Sequence, residues 1–471
     1  MKNLLIVIVC YSSSGVCFSQ TISKKIENAY QQFTSDSQLR HAISSLYVIN
    51  AKTGDVVFER NSQVGLAPAS TQKIVTATTA FEILNSQFRY RTDLAYSGKI
   101  ENSVLKGNLY VVGSGDPTLG SWRYPSTIDS VILNKWVNAI RQLKINEIDG
   151  DVVAIDNKFE SQSTPDGWIW QDIGNYYGAG VMGLNWHENQ YDLKLMPGNK
   201  EGDSVKILGT TPDVGFNYFI NELKTGPKGS GDNAYIYCPP YCFNGFVRGT
   251  IPLGEKPFTI SGSFSMPSRY PAGYLGDKLS KKGIKIKGDW PQTFIQYIAD
   301  RKPLVAPGQV IISHFSPALD SIIYWFLQKS INLYGEALLK TLAFQQQGFG
   351  STEAGIGIIK NFWKQRGLDE EELNIMDGSG LSPQNRITTH AQVEILKYGK
   401  TKDWFPYFYQ ALPTYNGMKM KSGSITDVKG YCGYQQSSDG NEYIFSFLVN
   451  NYNGSSSAVV GKMYKVLDVL K

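Results

Sequence analysis

The stretch that most constrains this 471-residue chain runs from Ala67 to Leu84. Ala67-Pro68-Ala69-Ser70-Thr71-Gln72-Lys73 leads into Ile74-Val75-Thr76-Ala77-Thr78-Thr79-Ala80-Phe81-Glu82-Ile83-Leu84, a run apolar enough to be buried. Residues three apart on a helix share a face, so Ser70 and Lys73 stand one turn apart on the same side. Pro68 suits the entry to such a helix. A helix buried along its length must have the rest of the chain wrapped around it. Its N-terminus favours negative charge, and here it carries a hydroxyl with an amine in reach. That pairing is the Ser-x-x-Lys form of nucleophilic catalysis. One match is weak by itself. Ser103…Lys106 repeats it in a polar stretch that reads as a turn, and a solvated helix start is the plainer reading of either.

What surrounds this helix is organised in three parts. Ile22–Leu39 reads as an amphipathic helix. Two apolar runs, 45–50 and 56–60, flank the turn Ala51-Lys52-Thr53-Gly54-Asp55 and predict a β-hairpin. From about 90 to 290 short β-like runs alternate with Gly, Asp and Asn turns: Leu109–Val112, Val152–Ile155, Leu193–Leu195 and Phe258–Ile260, with one helix near Ile128–Leu143. The stretch 222–250, rich in Gly, Pro, Asn and Cys, reads as an excursion on a surface domain. Helical patterns return at 322–343, 352–366 and 389–398. Strand-like runs follow at Met418–Val428 and Glu442–Asn450, with a last helix from Ser456 to Leu470. The two flanks complement each other, which predicts one α+β domain interrupted by a long, mostly β insertion.

Two further motifs fall in order. The S-x-N triplet Ser330-Ile331-Asn332 lies between two apolar helical runs, a setting that a helix cap also explains. Of three K-[ST]-G triplets, Lys52-Thr53-Gly54 is in the hairpin turn and Lys224-Thr225-Gly226 runs into Pro227. Only Lys421-Ser422-Gly423 lies in an alternating stretch, Met418–Ile425, that can line a cleft as a sheet edge. Its plainer reading is a strand with a solvated lysine. The order S-x-x-K, S-x-N, K-[ST]-G, each at a sensible place, is hard to obtain by chance. With it the chain resembles the penicillin-recognising serine acyl-enzymes. The long stretch between the first two motifs narrows the resemblance to the class C low-molecular-mass penicillin-binding proteins, the D-alanyl-D-alanine carboxypeptidases/endopeptidases of peptidase family S13. Gly113-Ser114-Gly115-Asp116-Pro117-Thr118-Leu119, Ile148-Asp149-Gly150-Asp151-Val152 and Asp377-Gly378-Ser379-Gly380-Leu381-Ser382 match the same family.

The resemblance implies an α+β fold in which a penicillin-recognising serine transpeptidase/β-lactamase-like domain carries an insertion of two smaller domains. The expected division is a catalytic part at 20–90 and 290–471, a second domain at 91–165 and 255–289, and a third at 166–254. It further implies a serine D,D-peptidase that removes terminal D-Ala from peptidoglycan stem peptides, or cleaves D-Ala-containing cross-links, and that β-lactams acylate. Ser70 would be the nucleophile and Lys73 its base. Ser330 would relay a proton to the leaving amine, and Asn332 would hold Lys73 and the substrate backbone. The N–H groups of Ser70 and Ser424 would hold the oxyanion. Lys421, with Ser422 and Gly423, would meet the terminal carboxylate, and Lys421 would be the cation that keeps Lys73 neutral. Trp168-Ile169-Trp170-Gln171-Asp172…Tyr177 matches the family stretch whose acidic residue and tyrosine meet the substrate's diamino-acid side chain, although a core role is the plainer reading of the tryptophans. The family's usual arginine after Gly-Leu-Ser is here Pro383, and Arg386 is the candidate to replace it. The chemistry implied needs no metal and no organic cofactor.

Charge and cysteines set further bounds. A net charge of +5 from 46 basic and 41 acidic residues, with no basic run interleaved with aromatics, argues against nucleic acid as a partner. Met1-Lys2-Asn3, the apolar Leu4–Cys10 and the small, polar Tyr11–Cys17 read as a secretory signal peptide over 1–19, with release preferred to lipid anchoring because neither Cys10 nor Cys17 follows a small residue. The mature chain is then expected in the periplasm or cell envelope, with no transmembrane segment. Cys238 and Cys242 are spaced to close a small disulfide loop there. The four histidines have no ligand spacing. Two other readings compete: a β-lactamase, against which stands the lack of a separate E-x-x-L-N-type stretch between the first two motifs, and a silent cell-wall-binding protein, against which stand Ser70, Lys73 and Lys421.

Overall fold

A six-stranded antiparallel sheet divides the two flanks of the chain into layers. The computed structural model describes residues 21–214, 218–300 and 305–471, so the expected signal peptide lies outside the described residues. The strands are β1 (Ile43–Asn50), β2 (Val56–Arg60), β3 (Thr414–Tyr415), β4 (Met418–Ile425), β5 (Val428–Gln436) and β6 (Glu442–Asn450), in the order β2-β1-β6-β5-β4-β3. The expected hairpin is therefore joined to the C-terminal strands, β1 pairing with β6 along its whole length. β5 was not expected as a separate strand. Its Gly430 and Gly433 weaken a strand reading, yet a Cβ at Gly433 would lie 2.2 Å from the Lys419 carbonyl, so the residue is set by close packing.

One face of the sheet is covered by α1 (Ile22–Thr34) and the last helix, Ser456–Leu467, through Ile26, Tyr30, Phe33, Phe445, Phe447, Val459 and Met463. The helix expected over 22–39 breaks because Asp36 caps a separate short turn at Ser37–Leu39. On the other face α6 (Thr389–Lys400) lies directly against the strands, and α2 (Lys73–Leu84), α3 (Leu319–Gln328), α4 (Asn332–Gln347) and α5 (Thr352–Lys364) share one apolar cluster with it and with Tyr47, Ile49, Tyr434 and Ile444 of the sheet. In α2 every residue except Glu82 and Ile83 is buried, as a helix apolar all round requires. A short helix at Phe405–Ala411 was not anticipated. Trp404 ahead of it stacks on Phe81 of α2, ring centroids 5.0 Å apart, so a tertiary contact holds it.

The insertion is built on a five-stranded mixed sheet and three smaller ones. The five-stranded sheet orders Gln292–Thr293, Val152–Ile155, Leu109–Val112, Arg91–Tyr96 and Gln309–Phe315. Phe258–Ser263 pairs with Gln190–Met196, and a separate three-stranded sheet holds Tyr218–Gly226, Asn244–Pro252 and Asn233–Tyr237. The stretch 222–250 holds parts of all three of these strands, joined at 227–232 and 238–243. One apolar cluster runs through the insertion from Leu94 to Ile284. We propose the expected division into a catalytic part and two smaller ones with two edges moved by these pairings: Gln309–Phe315 goes with 91–165, and Phe258–Ser263 with 166–254. Arg269–Lys281 forms a helix that Pro271, Gly273 and Gly276 obscure in the sequence; a Cβ at Gly276 would meet the Trp290 ring at 2.2 Å. Cys238 and Cys242 are separate thiols, the Cys238 Sγ facing the Cys242 carbonyl at 3.3 Å rather than its sulfur. Among the described residues no helix is long and apolar enough to cross a membrane.

Candidate active site

Ser70 sits in a tight 3-10 turn, Ala69–Gln72, that feeds directly into α2. Ala69 has φ +46°, a strained value for a residue with a side chain. Two glycines allow backbone to close on the turn from either side. A Cβ at Gly380 would lie 2.0 Å from the Ala69 carbonyl oxygen, and one at Gly423 would lie 2.5 Å from that of Pro68 and 2.9 Å from the Ser70 nitrogen. The strip 377–382 and strand β4 are therefore pressed against the turn that carries the hydroxyl.

Lys73 is fully buried, and its Nζ donates to Ser70 Oγ at 2.8 Å, to Asn332 Oδ1 at 2.7 Å and to the Ser379 carbonyl at 2.7 Å. Burial pushes this amine well below the usual lysine range; the charge of Lys421 pushes the same way, while Asp377 and Glu336 oppose both. Lys421, on β4, is also buried. It donates to Ser330 Oγ at 3.0 Å and to the Ser422 carbonyl at 2.8 Å, and burial brings it down to about 7. Ser330 adopts φ +56° in the link between α3 and α4, and Asn332 opens α4. The structure thus brings Ser70, Lys73, Ser330, Asn332 and Lys421 together as two hydrogen-bonded sets, Lys73 with Ser70 and Asn332 and Lys421 with Ser330, drawn from a helix start, an interhelix link and a sheet strand.

The group opens onto a cavity of about 550 Å³ whose walls include Ser70, Ser330, Asn332, Ser424, Asp172 and Tyr177. Asn332 ties Tyr177 to the site, its Nδ2 donating to the Tyr177 carbonyl at 2.8 Å. The Asp172 carboxyl, half-buried and bonded to the Tyr177 hydroxyl, is raised to about 6, mainly by burial. Ser422 and Gly423 lie on β4 between Lys421 and Ser424, Gly423 against the Ser70 turn. Arg386 is elsewhere: its Nη1 donates to the carbonyls of Pro383 at 2.6 Å and Asn385 at 2.7 Å, and it does not line the cavity, although Pro383 does. Among the described residues no group of three or more His, Cys, Asp or Glu is arranged to hold a metal ion.

Several residues of the site were given no role by the sequence, Asp377 among them although it opens the family-matching stretch 377–382. Asp377 is fully buried and accepts from the N–H groups of Gly380 and Ser382, both at 2.7 Å, from the Asn385 and Gln72 amides at 3.0 Å, and from the Trp168 indole at 3.0 Å. That bond gives Trp168 its place, while Trp170 is exposed beside Tyr237. Arg123 and Lys329 add cationic groups to the cavity wall; Arg123 is paired with the buried Glu188 at 2.7 Å. Glu336, one turn beyond Asn332 on α4, is fully buried; its spacing of four from Asn332 was the available signal.

The D-Ala-D-Ala carboxypeptidase 3 (S13) family matches residues 26–469. A D-alanyl-D-alanine carboxypeptidase of Actinomadura sp. (strain R39) is 26% identical over 453 residues, covering 90% of this chain and 81% of that protein. The D-alanyl-D-alanine carboxypeptidase DacB of Haemophilus influenzae is 25% identical over 432 residues, 86% of this chain and 84% of that one. The crystal structure of penicillin binding protein 4 (dacB) from Haemophilus influenzae superposes on 95% of this chain and 99% of its own with a TM-score of 0.79 at 22% identity, which is a likeness of fold. With a match of that extent, the chain belongs to the D-Ala-D-Ala carboxypeptidase 3 (S13) family.

Proposed function

We propose that this chain is a serine D,D-peptidase that acts on peptidoglycan stem peptides, releasing terminal D-Ala or opening D-Ala-containing cross-links, and that β-lactams acylate it at Ser70. The observation that carries the reading is the bond from the buried Lys73 amine to the Ser70 hydroxyl at 2.8 Å, made beside a second buried amine. As a free amine, Lys73 keeps its two N–H donors on Asn332 and the Ser379 carbonyl, turns its lone pair to the Ser70 hydroxyl and takes its proton while Oγ attacks the carbonyl between the two D-alanines. The oxyanion lies between the N–H groups of Ser70 and Ser424; one such donor is worth about 10²–10³ in rate. Ser330, to which Lys421 donates, passes its proton to the departing amine and takes back the one that Lys73 received from Ser70. Lys421 and Ser422, next to Gly423, take the terminal carboxylate, and Asp172 with Tyr177 meets an amine at the end of the substrate's side chain. Water then hydrolyses the acyl-enzyme. The matched family and the carboxypeptidase relatives support this reading, and a relative of the same fold has been crystallised with a β-lactam. Residues 1–19 would direct export to the periplasm or cell envelope.

The test is incubation with labelled penicillin followed by intact mass over time, alongside D-Ala release from a pentapeptide. A long-lived adduct on Ser70 with D-Ala release is expected. Rapid penicillin turnover would instead mark a β-lactamase, and neither adduct nor release a silent binding protein. Release of D-Ala by Ser70→Ala at the native rate would refute the mechanism.

A further inference from the structure

Next to the active-site cavity, on the far side of one arginine, lies a second hollow with no role in the steps above. It encloses about 360 Å³ between α3, the helix Phe405–Ala411 and the segment of the insertion that carries Tyr124. Tyr124, Tyr324, Trp325 and Tyr407 give it four aromatic walls. Asp320, Ser321 and Gln410 complete the lining with polar groups, and no aliphatic side chain takes part. Tyr324 is 36% exposed and Tyr407 47%. The three segments are tied to one another. The Tyr124 hydroxyl donates to the Ser321 carbonyl at 3.0 Å, and Gln328 Nε2, at the end of α3, donates to the carbonyls of Gln410 at 3.4 Å and Leu412 at 3.3 Å. The hollow is therefore preformed, as ligand sites usually are.

Arg123 joins it to the active site. This residue lines the active-site cavity, where its Nε is paired with the buried Glu188. Its guanidinium lies 5.4 Å from the centre of the Trp122 ring, in the wall of the same cavity, and 5.3 Å from that of Trp325, in the wall of the hollow. Trp122-Arg123-Tyr124 thus passes from one site to the other without a gap.

The lining selects the chemistry of the occupant. An acyl chain or the apolar face of a helix packs on aliphatic side chains, of which this hollow has none. A pyranose ring presents a flat face of C–H groups to an aromatic ring and an edge of hydroxyl and amide groups to polar ones, and both are provided here. The substrate proposed above carries such rings, because peptidoglycan stem peptides hang from a strand of N-acetylated amino sugars. A cavity of about 550 Å³ takes a ligand of drug size, so a stem peptide held by its D-Ala end leaves its sugar-bearing end beyond the rim. Extended chain advances about 3.3–3.6 Å per residue, so two residues exceed the 5.3 Å from Arg123 to the Trp325 ring.

We propose that this hollow is a saccharide subsite, which holds the amino-sugar strand of the substrate while the attached peptide occupies the active-site cavity. The inference rests on the D,D-peptidase reading above.

The test compares D-Ala release from a free pentapeptide and from the same pentapeptide on its N-acetylglucosaminyl-N-acetylmuramyl disaccharide, by the native chain and by a double variant, Tyr324→Ala with Tyr407→Ala. In the native chain the sugars should raise kcat/KM about tenfold, through KM, which is what one or two stacked rings supply. The double variant should lose that advantage, whereas Tyr407→Phe, which keeps the ring, should retain it. The penicillin adduct on Ser70 reports whether the double variant is folded. Where it is not, a competitor decides: peptide-free glycan strands should raise KM of the native chain for the disaccharide-pentapeptide and not for the free pentapeptide. Equal kcat/KM for the two substrates in the native chain, an undiminished advantage in the double variant, or a competitor that acts on both substrates or on neither would overturn the proposal. Absence of D-Ala release from both substrates would strike instead at the function proposed above.

Discussion

Gly423→Ala isolates the contact between β4 and the nucleophile's turn. The added methyl would lie 2.5 Å from the Pro68 carbonyl, 2.8 Å from the Thr71 nitrogen and 2.9 Å from the Ser70 nitrogen, all backbone atoms that no rotamer change can clear. Ordinary contact begins near 3.4 Å, so strand and turn must separate by about 0.9 Å. That movement parts the two N–H groups that would hold the oxyanion. A misplacement of about 1 Å costs on the order of 10² in rate, and loss of one oxyanion donor about 10²–10³. Overpacking of this kind costs about 1–3 kcal/mol of stability. The expected outcome is acylation by labelled penicillin slowed at least about 10²-fold in a protein that still unfolds cooperatively. Gly357→Ala, where nothing lies within 4 Å of the new methyl on α5, is the control; it should acylate at the native rate and gain about 0.5–1 kcal/mol. Acylation of Gly423→Ala within about threefold of native would show that β4 does not set the oxyanion geometry.

Three other perturbations test separate parts of the site. Asp172 is raised to about 6, so its charge, and with it the proposed capture of an amine-bearing side chain, is present above that pH and lost as pH falls through it; KM for such a peptide should rise below pH 6 with kcat steady, and Asp172→Asn should have the high KM at every pH. Arg386→Ala should leave kcat/KM within about twofold for peptides with either a carboxylated or an amidated side chain, because the guanidinium is bonded to the carbonyls of Pro383 and Asn385; a selective loss for the carboxylated peptide would place it at the substrate. Trp168→Phe removes the indole donor from the buried Asp377 Oδ2 and should lower stability by about 1–3 kcal/mol in denaturant unfolding.

The parts of this site legible in the sequence are those whose signal is local. Ser70 and Lys73 share a helix face by spacing alone, and the apolar run after them requires burial whatever the fold. Lys421 is distinguished from Lys52 and Lys224 by an alternating strand, and Ser330-Ile331-Asn332 by its place between two helices. The illegible parts depend on which backbone lies opposite. Asp377 reads only as the first residue of a family-matching stretch, with no role attached, until Gln72, Trp168, Gly380, Ser382 and Asn385 are seen to converge on it. Gly423 reads only as the third letter of a motif until the Pro68 carbonyl is found where its side chain would be. Arg386 has the right charge at nearly the right position, but charge does not fix direction, and the two carbonyls beside it offer a guanidinium an acceptor without reaching into the cavity. Helix breakers mislead for a related reason: Pro271, Gly273 and Gly276 lower local propensity, yet the Trp290 ring fills the space a side chain at 276 would take, so tertiary packing outweighs it. A sequence motif therefore names the atoms that react, whereas the pressure that aligns them comes from residues whose only signal is a missing side chain or a buried charge.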